Sequence, residues 1–219
     1  MKMRGTYSAP IDTTAPAYGE GGMAILDRLR TWLISRAVRG KLPQAGSLRM
    51  LDIGCGHYAP HLVANHDRLA EAWGIDLSVD ECCANRPGFQ FLLGQVEECL
   101  PRTPDSYFDI VLLISVLEHL WDPEEALRQC YRVLKPGGRL LVNVPTWAAR
   151  PILETSAFRL RTSTPSSIDD HKMYYGKRDL WPLLVRSGFR PSGISMAYQF
   201  LGMTLFAIAG KGAGPSRAK

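Results

Sequence analysis

Six residues, Leu51–Gly56 (LDIGCG), carry the types and spacing best suited to chemistry. Gly54 and Gly56 can take backbone angles closed to other residues, and without side chains they let a ligand lie against the main chain. A helix starting just after would add unpaired N–H groups and a positive dipole end, suited to a carboxylate. Asp52, two positions before Gly54, supplies the opposite charge and is placed to meet an ammonium. The loop, Cys55 included, is therefore expected to hold a ligand carrying both signs, such as an amino-acid moiety.

A dinucleotide is the rival ligand. Gly54, Gly56 and Ala59 also satisfy the loose G-x-G-x-x-G/A fingerprint, and Asp76 follows at roughly the ~20-residue spacing of a ribose-binding acid. That reading makes the chain an NAD(P)-dependent Rossmann oxidoreductase. Asp52 weighs against it, because a carboxylate would then face a pyrophosphate. Pro60 is tolerable under either reading, since proline is accepted in a first helical turn. An ordinary strand-to-helix turn with no ligand is the plain third possibility.

The elements that must position this loop follow from pattern. The chain has 219 residues, 46% hydrophobic and 21% charged, enough for one sizeable core and too apolar for disorder. Its formal charge of +5 is too small to imply nucleic acid without a clustered stripe. Five cysteines (55, 82, 83, 99 and 130) form no C-x-x-C pair, which suits a reduced, cytoplasmic protein. The longest apolar run, Ile110–Ile114, is far short of the ~20 residues of a membrane span, and the start lacks the apolar core of a signal peptide.

Residues 1–20 read as a loose arm in which Tyr7 or Tyr18 could fold over a ligand. Apolar residues at helical spacing predict an amphipathic helix over Gly22–Val38. Strands are expected at 72–77, 89–93, 108–114 and 139–144, separated by helical pieces, a doubly wound α/β signature. Asp122, Pro123 and Glu125 form a capping-box start for a helix to Leu134, which Pro136-Gly137-Gly138 should end. A last helix over Arg178–Arg186 precedes strands reaching Tyr198 and spanning Met203–Ala209, with 211–219 as a frayed tail.

LDIGCG, then GIDLS, YFDIVLLISVLEHLWDP and LKPGGRLLVNVP, resemble in order and spacing the motifs of class I S-adenosylmethionine-dependent methyltransferases of the small-molecule type, over roughly residues 48–145. The resemblance implies a Rossmann-like, seven-stranded, mostly parallel sheet with a C-terminal antiparallel hairpin, and one domain over 21–210. It implies S-adenosylmethionine as cofactor and S-adenosylhomocysteine as product. Asp52, Gly54 and Gly56 would hold the methionyl part, Asp76 the ribose, and Leu77 would lie on the adenine. Gln95 and Val96 would border the adenine edge, and Ile114 and Ser115 would floor the sulfonium.

The family's third loop glycine is absent here, replaced by His57 and Tyr58, and its frequent acid at 95 is Gln95. The strand after Phe108 lacks the Asn/Asp-Pro-Pro-Tyr ending of enzymes that methylate base amino groups and glutamine side chains.

Acceptor choice should lie in 146–178, where loops vary on a fixed scaffold. Arg150, Arg159, Arg161, Lys172, Lys177 and Arg178 outnumber the acids there, which suits either a small-molecule acceptor, anionic or sugar-containing, or a solvated loop with no preference; no nucleic acid is expected. For a hydroxyl acceptor, His171 and then His119 are the candidate bases, with Asp169 or Asp170 orienting them, because an imidazole of pKa ~6.5 can accept a proton near neutrality. The plainer role for His119 is packing at a helix start. No metal is expected, since the adjacent Asp169, Asp170 and His171 are poorly placed to converge on one ion. A cofactor-binding protein without turnover is the remaining alternative.

Overall fold

Apolar runs buried on both faces form the centre of a single sheet in this computed structural model, which describes residues 25–42, 46–152 and 170–213, with side chains from residue 31 onward. The strands are β1 (Leu48–Ile53), β2 (Leu69–Asp76), β3 (Phe89–Leu93), β4 (Phe108–Ile114), β5 (Leu134–Pro145), β6 (Ile194–Gln199) and β7 (Thr204–Gly210). Their order is β3-β2-β1-β4-β5-β7-β6. The first five run parallel, whereas β7 is antiparallel to both β5 and β6. The expected α/β doubly wound architecture with a C-terminal antiparallel hairpin is present. Strand order reverses between β1 and β4, which opens a crevice at their carboxyl ends.

Helices α1 (Ile25–Arg39), α2 (Pro60–Asn65), α3 (Glu81–Ala84), α4 (Val96–Cys99), α5 (Pro123–Val133) and α6 (Lys177–Arg186) accompany the sheet. Leu51, Ile53, Val111, Leu113, Leu140 and Val142 form one core with Leu127 and Cys130 of α5 and Leu180 and Leu184 of α6. Met50, Ile110, Leu112 and Leu141 form the other with Ile34 and Val38 of α1 and Leu62 of α2. Alternate residues of each strand thus serve opposite layers, which is why the central strands read as unbroken apolar runs.

Local chemistry explains where boundaries depart from expectation. Pro136-Gly137-Gly138 does not end α5; it lies inside β5, where Gly137 N donates to Lys211 O at 2.8 Å and Lys211 N to Gly138 O at 2.9 Å. Lys211 is accordingly part of the fold rather than of a frayed tail. Its ammonium donates to the carbonyls of Tyr131 (2.8 Å) and Leu134 (2.7 Å) at the end of α5, satisfying acceptors a helix terminus leaves open. Asp122 caps α5 as expected, accepting from Glu125 N at 2.9 Å. The box is not completed, because the Glu125 carboxylate is engaged by Arg128 and by Gln129 at 2.7 Å.

The expected arm (1–20), with Tyr7 and Tyr18, and residues 153–169 of the acceptor segment lie outside the described residues. All five cysteines are free thiols, and among the described residues no helix is long and apolar enough to cross a membrane.

Candidate cofactor and active site

At the end of β1 the chain turns through Gly54 (φ 67°) and Gly56 (φ 73°), both in the left-handed region that favours glycine. The two serve different ends. A Cβ on Gly54 would lie 2.2 Å from Val116 Cγ2, whereas one on Gly56 would meet nothing within 4 Å among the described residues. Gly54 lets the chain close on its neighbour, and Gly56 leaves main chain open to a ligand.

The N–H groups of Gly54, Cys55 and Gly56 are engaged within the fold. Gly54 N and Cys55 N donate to Ile75 O at 2.8 and 3.1 Å, and Gly56 N donates to Asp76 Oδ2 at 2.7 Å. Helix α2 has only six residues and starts from Ala59 at φ 41° with no side-chain cap, so its dipole adds little. Neighbouring β2 supplies the acceptors instead. A pyrophosphate would meet engaged amides and two carboxylates, which disfavours the dinucleotide reading.

Asp52 is fully buried, and neither of its oxygens has a hydrogen-bond partner among the described residues. Burial first, and then the charge of Asp76, push its carboxyl well above the usual carboxylate range. A cationic group delivered to this spot would relieve both effects. Asp76 also accepts from Leu77 N at 2.8 Å through Oδ1, and each of its oxygens retains a second lone pair for a ligand hydroxyl.

The remaining predicted residues fall along the same edge. The Cys55 side chain turns into the core, its Sγ 2.8 Å from where a Cβ on Gly74 would stand, so only its backbone borders the loop. Burial, with Asp52 and Asp76 adding, raises this thiol's pKa and leaves it inert. Leu77 is 56% exposed just past β2. Gln95 is exposed at the start of α4 with no side-chain cap bond, while Val96 is half-buried against the core. Gly94 N donates to Asp76 O at 3.0 Å, which brings Gln95 beside the acid. Ile114 ends β4 opposite Asn143, and Ser115 takes φ 56°, an uncommon angle for a non-glycine residue, its N donating to Asn143 O at 2.8 Å.

Both predicted histidines meet beyond β4. His119 lies in a short 3₁₀ turn, Leu117–His119, and its ring centroid is 4.8 Å from that of His171 in edge-to-face contact. His119 Nδ1 is 3.0 Å from Asp170 Oδ2. Of the two acids expected to orient a histidine, Asp170 contacts His119, and Asp169 is outside the described residues. Burial lowers the His119 pKa despite the opposing Asp170, which favours a neutral ring. Burial also acts to raise the Asp170 pKa, yet Lys172 at 2.9 Å and His119 hold it below its ordinary value, so the carboxylate stays ionised. An ionised carboxylate only accepts, so Nδ1 carries the proton and Nε2 the lone pair. His171 Nδ1 lies 3.3 Å from Tyr174 Oη.

Sequence reasoning missed three features here. Glu118 is buried, and its carboxylate and the two imidazoles have ligand-type atoms within 4.8 Å of one another. Asn143 is fully buried with neither amide atom partnered among the described residues; a lone amide inside LLVNVP was the legible signal. Trp147, its ring centroid 5.7 Å from that of Tyr174, extends the aromatic wall from His171. No local pattern marked Trp147.

Residues 51–142 match the family described as Methyltransferase domain. Over 211 residues the chain is 30% identical to the 27-O-demethylrifamycin SV methyltransferase of Amycolatopsis mediterranei, covering 85% of this chain and 74% of that protein. The chain belongs to the class I S-adenosylmethionine-dependent methyltransferases. A ubiquinone biosynthesis O-methyltransferase of Bradyrhizobium is 38% identical over 104 residues, 44% of this chain and 39% of that one. Mycobacterial relatives are likewise spanned over 37% and 54% of their lengths. In fold, the methyltransferase is similar to a SAM dependent methyltransferase from Archaeoglobus fulgidus (TM-score 0.62, 20% identity, 83% of this chain and 94% of that one). The site residues fit the family's cofactor: an unpartnered buried carboxylate for an ammonium, an open glycine for the main-chain approach, and a second acid with spare lone pairs.

Proposed function

We propose that this methyltransferase moves the methyl group of S-adenosylmethionine to a hydroxyl oxygen of a small-molecule acceptor. The observation that carries this reading is the His119–Asp170 pair, 3.0 Å apart, just beyond Ser115 at the end of β4. When bound, the cofactor supplies a methyl made electrophilic by its sulfonium. Asp52 holds the ammonium, Asp76 the ribose hydroxyls, Leu77 one face of the adenine, and Gln95 and Val96 its edge. Gly54, the Cys55 backbone and Gly56 shape the methionyl seat, and Ile114 and Ser115 form the floor under the reacting carbon.

His119 Nε2 takes the acceptor's hydroxyl proton as the oxygen attacks, and Asp170 holds the ring in the required tautomer. His171, in contact with the His119 ring, fixes its orientation. Alignment supplies most of the acceleration, since effective molarity can contribute about 7–11 kcal/mol. The rifamycin and ubiquinone relatives, named for O-methylation, support oxygen as the acceptor atom. A sugar or anionic acceptor has less support. Lys172 is paired with Asp170 and lies over the Trp121 ring at 4.6 Å, which leaves fewer open cations than the sequence suggested. Five free thiols suit a cytoplasmic enzyme.

The test is transfer of labelled methyl from S-adenosylmethionine to a panel of alcohols and phenols, with His119→Asn as control. Product formation that depends on His119 supports the reading. Transfer to amines only, or cofactor binding with no product across the panel, refutes it, the latter in favour of a binding protein.

A further inference from the structure

A cavity of about 230 Å³ opens past the carboxyl end of β5, lined by Thr146, Trp147, Ala148, Gly176, Tyr198 and Gly202. Thr146 directly follows β5, the strand paired with β4. Tyr198 lies on β6, beyond β7, so with neighbouring strands about 4.8 Å apart the cavity reaches from roughly 5 Å to roughly 15 Å to the side of Ser115. An aromatic path joins it to the proposed base. Trp147 is 5.7 Å from Tyr174, Tyr174 is 5.4 Å from His171, and His171 is 4.8 Å from His119, all between ring centroids.

The polar atoms on its wall are already engaged. The Trp147 indole N–H donates to Asp179 Oδ2 at 3.3 Å, an oxygen that also accepts from Gly176 N at 2.7 Å. The Thr146 hydroxyl donates to Gly202 O at 2.6 Å. Tyr198 Oη accepts from Lys177 N at 3.4 Å and keeps its own proton as the single free side-chain donor among these. The Lys177 ammonium is held 5.2 Å from the Tyr198 ring. What remains is flat carbon: half of the Trp147 surface and half of the Tyr198 surface stand exposed, at 50% and 51%. Gly202, at φ 87°, has nothing within 4 Å of where a Cβ would be, so no side chain among the described residues fills the space.

We infer that the methyl acceptor carries an aryl group and that this group sits in the cavity against Trp147 and Tyr198. The inference rests on the methyl-transfer reading above and narrows its acceptor. A sugar finds a single free side-chain donor on these walls, Tyr198 Oη, so its hydroxyls stay with water and gain little directional recognition. An aryl ring loses only water and gains stacking with the two aromatic walls. The size agrees: a cavity of about 150 Å³ suffices for benzene, so this one takes a substituted or fused ring.

The test is calorimetry in the presence of saturating S-adenosylhomocysteine, with 2-naphthol as aryl probe and methyl glucoside and glucose 1-phosphate as polar probes. Naphthol is expected to bind with Kd below about 1 mM, and both sugars at least about tenfold more weakly. Trp147→Ala should weaken naphthol about tenfold or more, while Trp147→Phe, which keeps a ring without the N–H, stays within about threefold. Tighter binding of either sugar, or naphthol affinity unchanged by Trp147→Ala, overturns the inference. S-adenosylhomocysteine affinity is read separately for all three proteins. Its absence overturns the cofactor reading, whereas a naphthol titration without it still tests the cavity.

Discussion

Replacing Asp52 with Asn removes a charge and almost no volume, and it should affect the free and the cofactor-bound protein in opposite directions. In the free protein the Asp52 carboxyl is buried with both oxygens unpartnered, and its pKa is raised by burial and by Asp76. An unfolded aspartate titrates near ~3.9. Below that pH both states are protonated and no penalty arises. As pH rises toward the raised folded value, the unfolded state ionises first, and stability falls by up to about 1.4 kcal/mol per pH unit. Asp52→Asn removes this loss, so the free variant should match wild type near pH 4 and exceed its Tm at pH 7–8.

Cofactor affinity should fall, because the ammonium loses a charged partner. A hydrogen bond to a charged group contributes about 1.5–3 kcal/mol, which converts to about 10- to 150-fold in Kd. Calorimetry with two ligands isolates the cause. S-adenosylhomocysteine, which has the amino-acid part, should show the loss. Methylthioadenosine, which lacks it, should bind wild type and variant within about threefold. Equal losses for both ligands would place the amino-acid part elsewhere, and no loss for either would remove Asp52 from the site.

Other perturbations check separate parts of the site. Asp76→Ala releases Gly56 N and Leu77 N together with the ribose contact, so S-adenosylhomocysteine and methylthioadenosine should both weaken about tenfold or more by calorimetry. Gly54→Ala places a methyl 2.2 Å from Val116 Cγ2 at φ 67°. Overpacking and left-handed strain together should cost about 2–4 kcal/mol and lower Tm by about 5–15 °C in calorimetric scans. His119→Ala should reduce kcat by about 10²- to 10⁴-fold with S-adenosylhomocysteine affinity retained. Asp170→Asn removes the charge that raises the His119 pKa against the lowering effect of burial. The acidic limb of the kcat/KM profile should therefore move to lower pH; a shift upward would contradict the assigned pair.

Much of the scaffold was legible because its causes are local. Unbroken apolar runs at 108–114 and 140–142 mark strands buried on both faces, and Asp122 before Pro123 marks a helix start, whatever lies around them. The loop glycines marked a left-handed turn after β1 through residue type alone. Pro136-Gly137-Gly138 misled for the opposite reason. Its turn chemistry suggested a break, but pairing with Lys211, over seventy residues away, holds it in a strand.

The chain by itself determined the sheet, the glycine turn and the two acids, since backbone freedom, burial pattern and charge are properties of short stretches. Tertiary structure decided which partners those groups keep. It gave the loop amides to Ile75 and Asp76, left Asp52 buried without a donor, and paired His119 with Asp170 across fifty-one residues. Hydrogen bonds and burial between distant segments depend on how strands and loops register in space, and neither quantity is written in the neighbourhood of any one residue.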